Sequence, residues 1–180
     1  MKIAITGHTK GIGQALAKVY ADQGHTIVGM SRTNGYNIRV IPKLVNTIAE
    51  CDMFINNAQA GFAQTELLFE VYNSWANTRK KIIVISTMMT QHPISIIPGL
   101  DQYRVQKIAL EEAVMQLRAK KLGPEIILVR PGDIATTPEK TVPPSADVDV
   151  WAHKLVTILD LVGPELAIGD LSLGPSFYEL

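Results

Sequence analysis

Cysteine is nearly absent from this 180-residue chain, where Cys51 stands alone. A single thiol closes no intrachain disulfide, so a reducing compartment is the default expectation. It makes no metal site either, because His8, His25, His92 and His153 lack the spacing that would add ligands. An excess of one charge sign is missing too. Lys and Arg number 17, Asp and Glu 17, and no basic block interrupts the balance, so no nucleic-acid partner is expected. No run of about 18 or more apolar residues occurs, which argues against a membrane span. The opening Met-Lys enters an apolar stretch without the charged region and long apolar core of a secretory signal. These absences lead to the expectation of a soluble cytoplasmic protein.

What is present describes a packed chain. Apolar residues make up 47% of it and mean hydropathy is +0.14, which argues against disorder. The length fits one domain over 1–180. Short β-rich runs alternate with helical periodicity. Lys2–Thr6 and Thr26–Met30 read as strands, 36–38 as the stub of a third, and Met53–Asn56, 81–86, 125–130 and 166–173 as the remainder. Helices are expected over 13–23, 40–50, 64–75, 101–122 and 147–162. Gly24 suits the end of the first, and Pro42 falls in the first turn of the second. Asp101 is placed to cap the fourth, with Gly123-Pro124 ending it. Loops are expected around Pro93, Pro98 and Gly99, and over the Pro-rich 138–144. Near-continuous apolar strands separated by helices predict an α/β fold: a doubly wound, mostly parallel sheet with helices on both faces.

Between the first strand and first helix lies Thr6-Gly7-His8-Thr9-Lys10-Gly11-Ile12-Gly13. Glycines there permit a tight turn, let backbone approach a phosphate, and leave the helix N-terminus open to an anion. The spacing G-x-x-x-G-x-G differs from the G-x-G-x-x-G dinucleotide pattern. At the end of the second strand an acidic residue would select a ribose 2′-OH, whereas Arg suits a 2′-phosphate. This chain has Ser31-Arg32 there and no acid. Lys10, within the glycine turn, reaches toward the same place. Tyr103 and Lys107, four apart on an expected helix, share one face. An ammonium held near a phenol favours the phenolate and would bring its pKa down toward the working range.

Five blocks in order resemble the short-chain dehydrogenase/reductase family. Thr6-Gly7 through Gly13 is similar to the family's cofactor motif. Asn56-Asn57-Ala58 resembles its Asn-Asn-Ala-Gly, Ile85-Ser86-Thr87 its Ile-Ser-Ser, Tyr103 through Lys107 its Tyr-x-x-x-Lys, and Pro131-Gly132 through Thr136 its Pro-Gly-x-x-x-Thr. The resemblance implies an NADP(H)-dependent oxidoreductase acting on a small carbonyl or alcohol. It implies a cofactor site from Gly7, Thr9, Lys10, Gly11, Ile12, Gly13, Ser31, Arg32, Asn37, Asn57 and Ala58, with Ile38 beside the adenine, and Pro131, Gly132, Ile134 and Thr136 at the nicotinamide end. Tyr103 becomes the general acid/base, and Lys107 its helper and a ribose ligand. A hydroxyl that orients the substrate oxygen falls on Thr87, with Ser86 and then Thr90 as alternatives. A homodimer or homotetramer is the usual assembly.

The departures are also specific. The chain is shorter than common members, and only 28 residues separate Asn57 from Ile85. The family's catalytic Asn has no clear counterpart, Gln59, Gln64 and Asn73 being stand-ins. Asn-Asn-Ala is followed by Gln59, with Gly61 two residues later. The segment after Thr136 leaves little room for a substrate lid. These truncations keep open a second reading, a non-catalytic NADP(H)-binding sensor or scaffold. A nucleotide-sugar epimerase or dehydratase, a third, would need a larger C-terminal region.

Overall fold

The computed structural model describes residues 1–91, 99–137, 145–162 and 166–175. The expected loops around Pro93 and Pro98 and over 138–144 lie outside them.

Period-two alternation sorts the strand side chains into two cores. In β1 (Lys2–Thr6), Ile3 and Ile5 face one side and Ala4 the other. β3 (Met53–Asn56) sends Met53 and Ile55 to the first side and Phe54 to the second. β4 (Lys81–Ile85) and β5 (Glu125–Pro131) repeat the pattern with Ile83, Ile85, Ile127 and Val129 against Ile82, Val84, Ile126 and Leu128. Strands buried on both faces need helices on both faces. α1 (Gly11–Asp22) and α5 (Val148–Leu161) cover the first core with Leu16, Tyr20, Trp151 and Leu155. α2 (Ile41–Ile48), α3 (Ala63–Ser74) and α4 (Leu100–Ala119) cover the second with Ile48, Leu67, Val71, Val114 and Leu117.

With β2 (Thr26–Met30) and β8 (Asp170–Leu173), the six-stranded sheet runs β2-β1-β3-β4-β5-β8, and every neighbouring pair is parallel. The chain moves from β1 outward to β2, then crosses back to β3 on the other side of β1. That reversal opens a crevice at the carboxyl ends of β1 and β3, where ligands bind in such sheets. The doubly wound parallel architecture expected from the sequence is the one observed.

Several boundaries differ, each for a local reason. The 36–38 stub is not a strand. Gly35 takes a left-handed φ of +83°, Asn37 Oδ1 accepts from the Arg39 amide at 3.1 Å, and the Asn37 carbonyl accepts from Val40 N at 2.8 Å. This side-chain turn bends the backbone away from the sheet, after a 3₁₀ turn at Arg32–Asn34. Asp101 does not cap α4. Gly99 holds the cap position with φ +84°, and Asp101 sits in the first turn. α4 ends at Ala119, before Gly123, and the chain leaves through Lys121 in a left-handed conformation. Asp147 is the cap of α5 rather than its first residue, accepting from Asp149 N and Val150 N at 3.0 and 2.9 Å. The last strand begins at Asp170, not 166. A two-residue pair, β6 (Ile134–Ala135) with β7 (Ala146–Asp147), adds a feature that the sequence pattern does not signal.

Candidate functional site

The ends of β1 and β3 are laced together across the crevice. Thr6 Oγ1 accepts from the amides of Asn57 and Ala58, both at 3.0 Å, while Asn57 Nδ2 donates to the Thr6 carbonyl at 2.9 Å. Gly13 packs beneath this latch. A Cβ there would lie 2.4 Å from the Gly7 carbonyl oxygen and 2.6 Å from Asn57 Nδ2. Gly11 has φ +55°, and a Cβ on it would press on Thr136 at 3.2 Å. The glycines therefore let three backbone segments meet where a side chain would block them. α1 begins inside this turn, with Lys10 at its cap position. No side chain caps it and its first turn has no acid, so its leading N–H groups and dipole remain open to an anion.

A cleft of about 610 Å³ opens above the turn. Gly7, Thr9, Lys10, Ser31, Arg32, Asn37, Ile38, Asn57 and Ala58, all singled out in the sequence, line it. Arg39, which no sequence motif marks, lines it as well. Among the described residues, three cations and no carboxylate face this cavity. Ser31 is fixed by its neighbours: its amide donates to Asn34 Oδ1 at 2.8 Å, and its hydroxyl pairs with Thr33 Oγ1 at 2.7 Å. Ile12 turns away from the cleft and packs against the α1/α5 core.

The second group gathers at the carboxyl end of β4. Burial raises the Tyr103 pKa, and the side chain of Thr87 beside it lowers it. Lys107 is only 3% exposed. Its Nζ donates to Gln64 Oε1 and to the Ile85 carbonyl, both at 2.8 Å, and lies 5.6 Å from the centre of the Tyr103 ring. Burial pushes its pKa down to about 7, against the upward pull of Glu111. The sequence expectation that Lys107 draws the phenol pKa down is therefore not what dominates, because desolvation raises the phenol and lowers the ammonium. Gln64 is anchored by its amide nitrogen, which donates to the Asn56 and Ile85 carbonyls at 2.7 and 3.1 Å. Of the three stand-ins for the missing Asn, Gln64 is the one bonded to Lys107.

Ser86 and Thr90, the alternatives to Thr87, turn to Glu111. Both hydroxyls donate to Glu111 Oε1, Thr90 at 2.9 Å. Arg104 holds the intervening 3₁₀ turn (Met88–Gln91), donating to the Met89 and Thr90 carbonyls at 3.0 Å each. Pro131 closes β5 and Gly132 follows it. A Cβ on Gly132 would lie 2.7 Å from Gly174 Cα and 3.1 Å from Met88 Sδ. Ile134 is buried in the α1/α5 core, and Thr136 lies against Gly11. The 131–136 segment thus spans from the β4 hydroxyl group to the glycine turn.

Among the described residues, no cluster of three or more His, Cys, Asp or Glu is placed to hold a metal ion. No helix among them is long and apolar enough to cross a membrane.

No family model matches the chain, and no curated protein does. Solved structures match its fold. The alcohol dehydrogenase of the archaeon Thermococcus sibiricus, complexed with 5-hydroxy-NADP, is 17% identical with a TM-score of 0.78, covering 100% of this chain and 99% of its own. Serine dehydrogenase from Escherichia coli is 15% identical with a TM-score of 0.75, covering 100% of both chains. The 3-alpha-hydroxysteroid dehydrogenase from Pseudomonas sp. B-0831, complexed with NADH, is 16% identical with a TM-score of 0.68, covering 96% of this chain and 93% of its own. The chain has the Rossmann-type fold of the short-chain dehydrogenases/reductases.

Proposed function

We propose that the chain is a short, divergent short-chain dehydrogenase/reductase that passes a hydride between NADP(H) and a small carbonyl or alcohol. The observation that carries this reading is the meeting of Tyr103, Thr87 and Lys107 at the end of β4, at the same carboxyl end of the sheet as the cation-lined cleft. Lys10, Arg32 and Arg39 would hold a 2′-phosphate, for which guanidinium and ammonium groups without a competing carboxylate are suited. The open amides of α1 would take the pyrophosphate, and the 131–136 segment the nicotinamide end. A coenzyme lacking the 2′-phosphate offers these cations one anionic group fewer, which favours NADP(H) over NAD(H).

When bound, the coenzyme supplies or accepts the hydride. The Tyr103 hydroxyl donates a proton to the carbonyl oxygen in reduction and recovers it in oxidation. The Thr87 hydroxyl donates a hydrogen bond that orients the same oxygen. An ammonium has three N–H donors. Lys107 engages two of them with Gln64 and Ile85, which leaves one for the nicotinamide ribose. Thr87 takes the orienting role because Ser86 and Thr90 are held by Glu111.

The test is NADPH oxidation against a panel of aldehydes and ketones, with Tyr103→Phe beside the unaltered protein. Loss of turnover by roughly 10²–10⁴, the usual worth of a general acid, with NADPH affinity preserved, is the expected result. Equal rates for the two proteins would overturn the assignment of Tyr103. Tight NADPH binding with no turnover across the panel would favour the sensor or scaffold reading instead.

A further inference from the structure

Lys107 sits in a seat that does not suit a charge. It is 3% exposed, and its two partners, Gln64 Oε1 and the Ile85 carbonyl, are neutral. The nearest carboxylate is Glu111, one helical turn along α4 and on the same face. Backbone connectivity brings the two groups together a second time. Lys107 binds residue 85 while Glu111 accepts from Ser86, the next residue in the chain. Glu111 is itself tightly held. Thr90 donates to Oε1 at 2.9 Å, and Arg130 donates to Oε2 through Nε and Nη2 at 3.0 and 2.8 Å. The side chains of Glu111 and Arg130 are each 14% exposed.

We propose that Glu111 is a positioning residue that keeps Lys107 an ammonium in its buried seat and, by binding Ser86 and Thr90, leaves Thr87, whose oxygen accepts from the Met89 amide at 3.3 Å, as the hydroxyl with its proton free for the substrate. The carboxylate is shared. Arg130 draws on it from β5, and Arg130 is in turn drawn off by Asp170 of β8 at 2.9 Å, which also holds Arg118 at 2.6 Å. Signs alternate along the row Lys107, Glu111, Arg130, Asp170, Arg118. The negative charge of Asp170 offsets part of the Arg130 charge, so Arg130 cancels less of the field that Glu111 sets at Lys107. The remaining groups around the pair are Tyr103 on α4, Gln64 on α3, Thr87 after β4, and Arg104, which grips the 88–91 turn. Among these residues the only carboxylate beside Lys107 is Glu111, and burial already works against the ammonium.

The catalytic part of this inference rests on the oxidoreductase reading, but the titration does not. The experiment follows Lys107 by NMR in protein carrying carbon-labelled lysine, with the signal assigned through Lys107→Arg. In Glu111→Gln the Lys107 titration is expected to move down. Each tenfold rise in the Lys107 acid dissociation constant removes tenfold of the ammonium at pH above both midpoints. Turnover of NADPH by Glu111→Gln should then match the unaltered protein at acid pH and fall progressively behind it through neutral pH. Glu111→Asp, which retains the charge, should recover most of the difference. Arg130→Gln removes the competing cation and should move Lys107 up. This second arm stays informative if Glu111→Gln does not fold. An unmoved Lys107 in either Gln variant, or a turnover deficit of equal size at every pH, would overturn the proposal. Absence of turnover in the unaltered protein would instead count against the oxidoreductase reading, and the titration arm would still decide the role of Glu111.

Discussion

Arg32 and Lys10 owe their weight to what does not accompany them, since no carboxylate among the described residues lines the cleft they face. A guanidinium binding a phosphate makes charge-assisted hydrogen bonds worth about 1.5–3 kcal/mol. Arg32→Ala should therefore weaken NADPH binding roughly ten- to a hundredfold and leave NADH binding nearly unchanged, a contrast that titration calorimetry with both coenzymes would measure. Equal losses for both would show that Arg32 does not meet the 2′-phosphate. This pair is legible in the sequence because a basic residue at a fixed distance from a glycine turn is a local pattern. Arg39 is not, because it reaches the cleft only through the Asn37 turn, whose sequence reads as a strand. Thr87, Ser86 and Thr90 cannot be separated from the sequence either. Three hydroxyls within five residues are told apart by which two Glu111 holds, and that depends on a helix far along the chain.

α4 places Tyr103, Lys107 and Glu111 at successive turns of one face, so a single element positions the phenol, the ammonium and the counter-charge. α1 makes a different contribution through its beginning. Its first residues are part of the glycine turn, and Gly13 fits only because it lacks a side chain. Gly13→Ala must push apart the Gly7 carbonyl and Asn57, because both lie within 2.6 Å of the new methyl. A lowered melting temperature together with lost NADPH binding is the expected outcome, read by thermal unfolding with and without the coenzyme. An alanine variant stabilised by NADPH as fully as the unaltered protein would contradict it. Strands are the most legible elements, since runs such as Lys81–Ile85 are apolar on both faces wherever helices cover both. Helix ends are less so. Asp101 has the composition of a cap, but the backbone enters α4 through Gly99 in a left-handed conformation that composition does not reveal. The β6–β7 pair is only two residues long on each side and carries no periodicity to read.

At the scale of the molecule, burying Lys107 has a thermodynamic signature. Its folded pKa of about 7 lies below the ordinary lysine value of 10.5. Below about pH 7 both folded and unfolded chains carry the proton, and the folded state bears the full cost of burying the charge. Between the two values the unfolded chain binds the proton and the folded chain does not. Stability therefore rises with pH across that window, by up to about 1.4 kcal/mol per pH unit. Urea denaturation of the ligand-free protein from neutral to alkaline pH should show this rise, and Lys107→Met should flatten it. A slope unchanged in Lys107→Met would mean that another group sets it.

Asp170 lies on β8, made last of the six sheet strands, yet it holds both Arg118 and Arg130. During synthesis α4, β4 and β5 are all made before this residue exists. The two arginines must wait for their shared counter-ion, and the row of charges beside Lys107 stays one member short until β8 docks. The row of charges beside Lys107 therefore ends on an edge strand, so that loosening β8 would free Arg118 and Arg130 from the counter-ion they share.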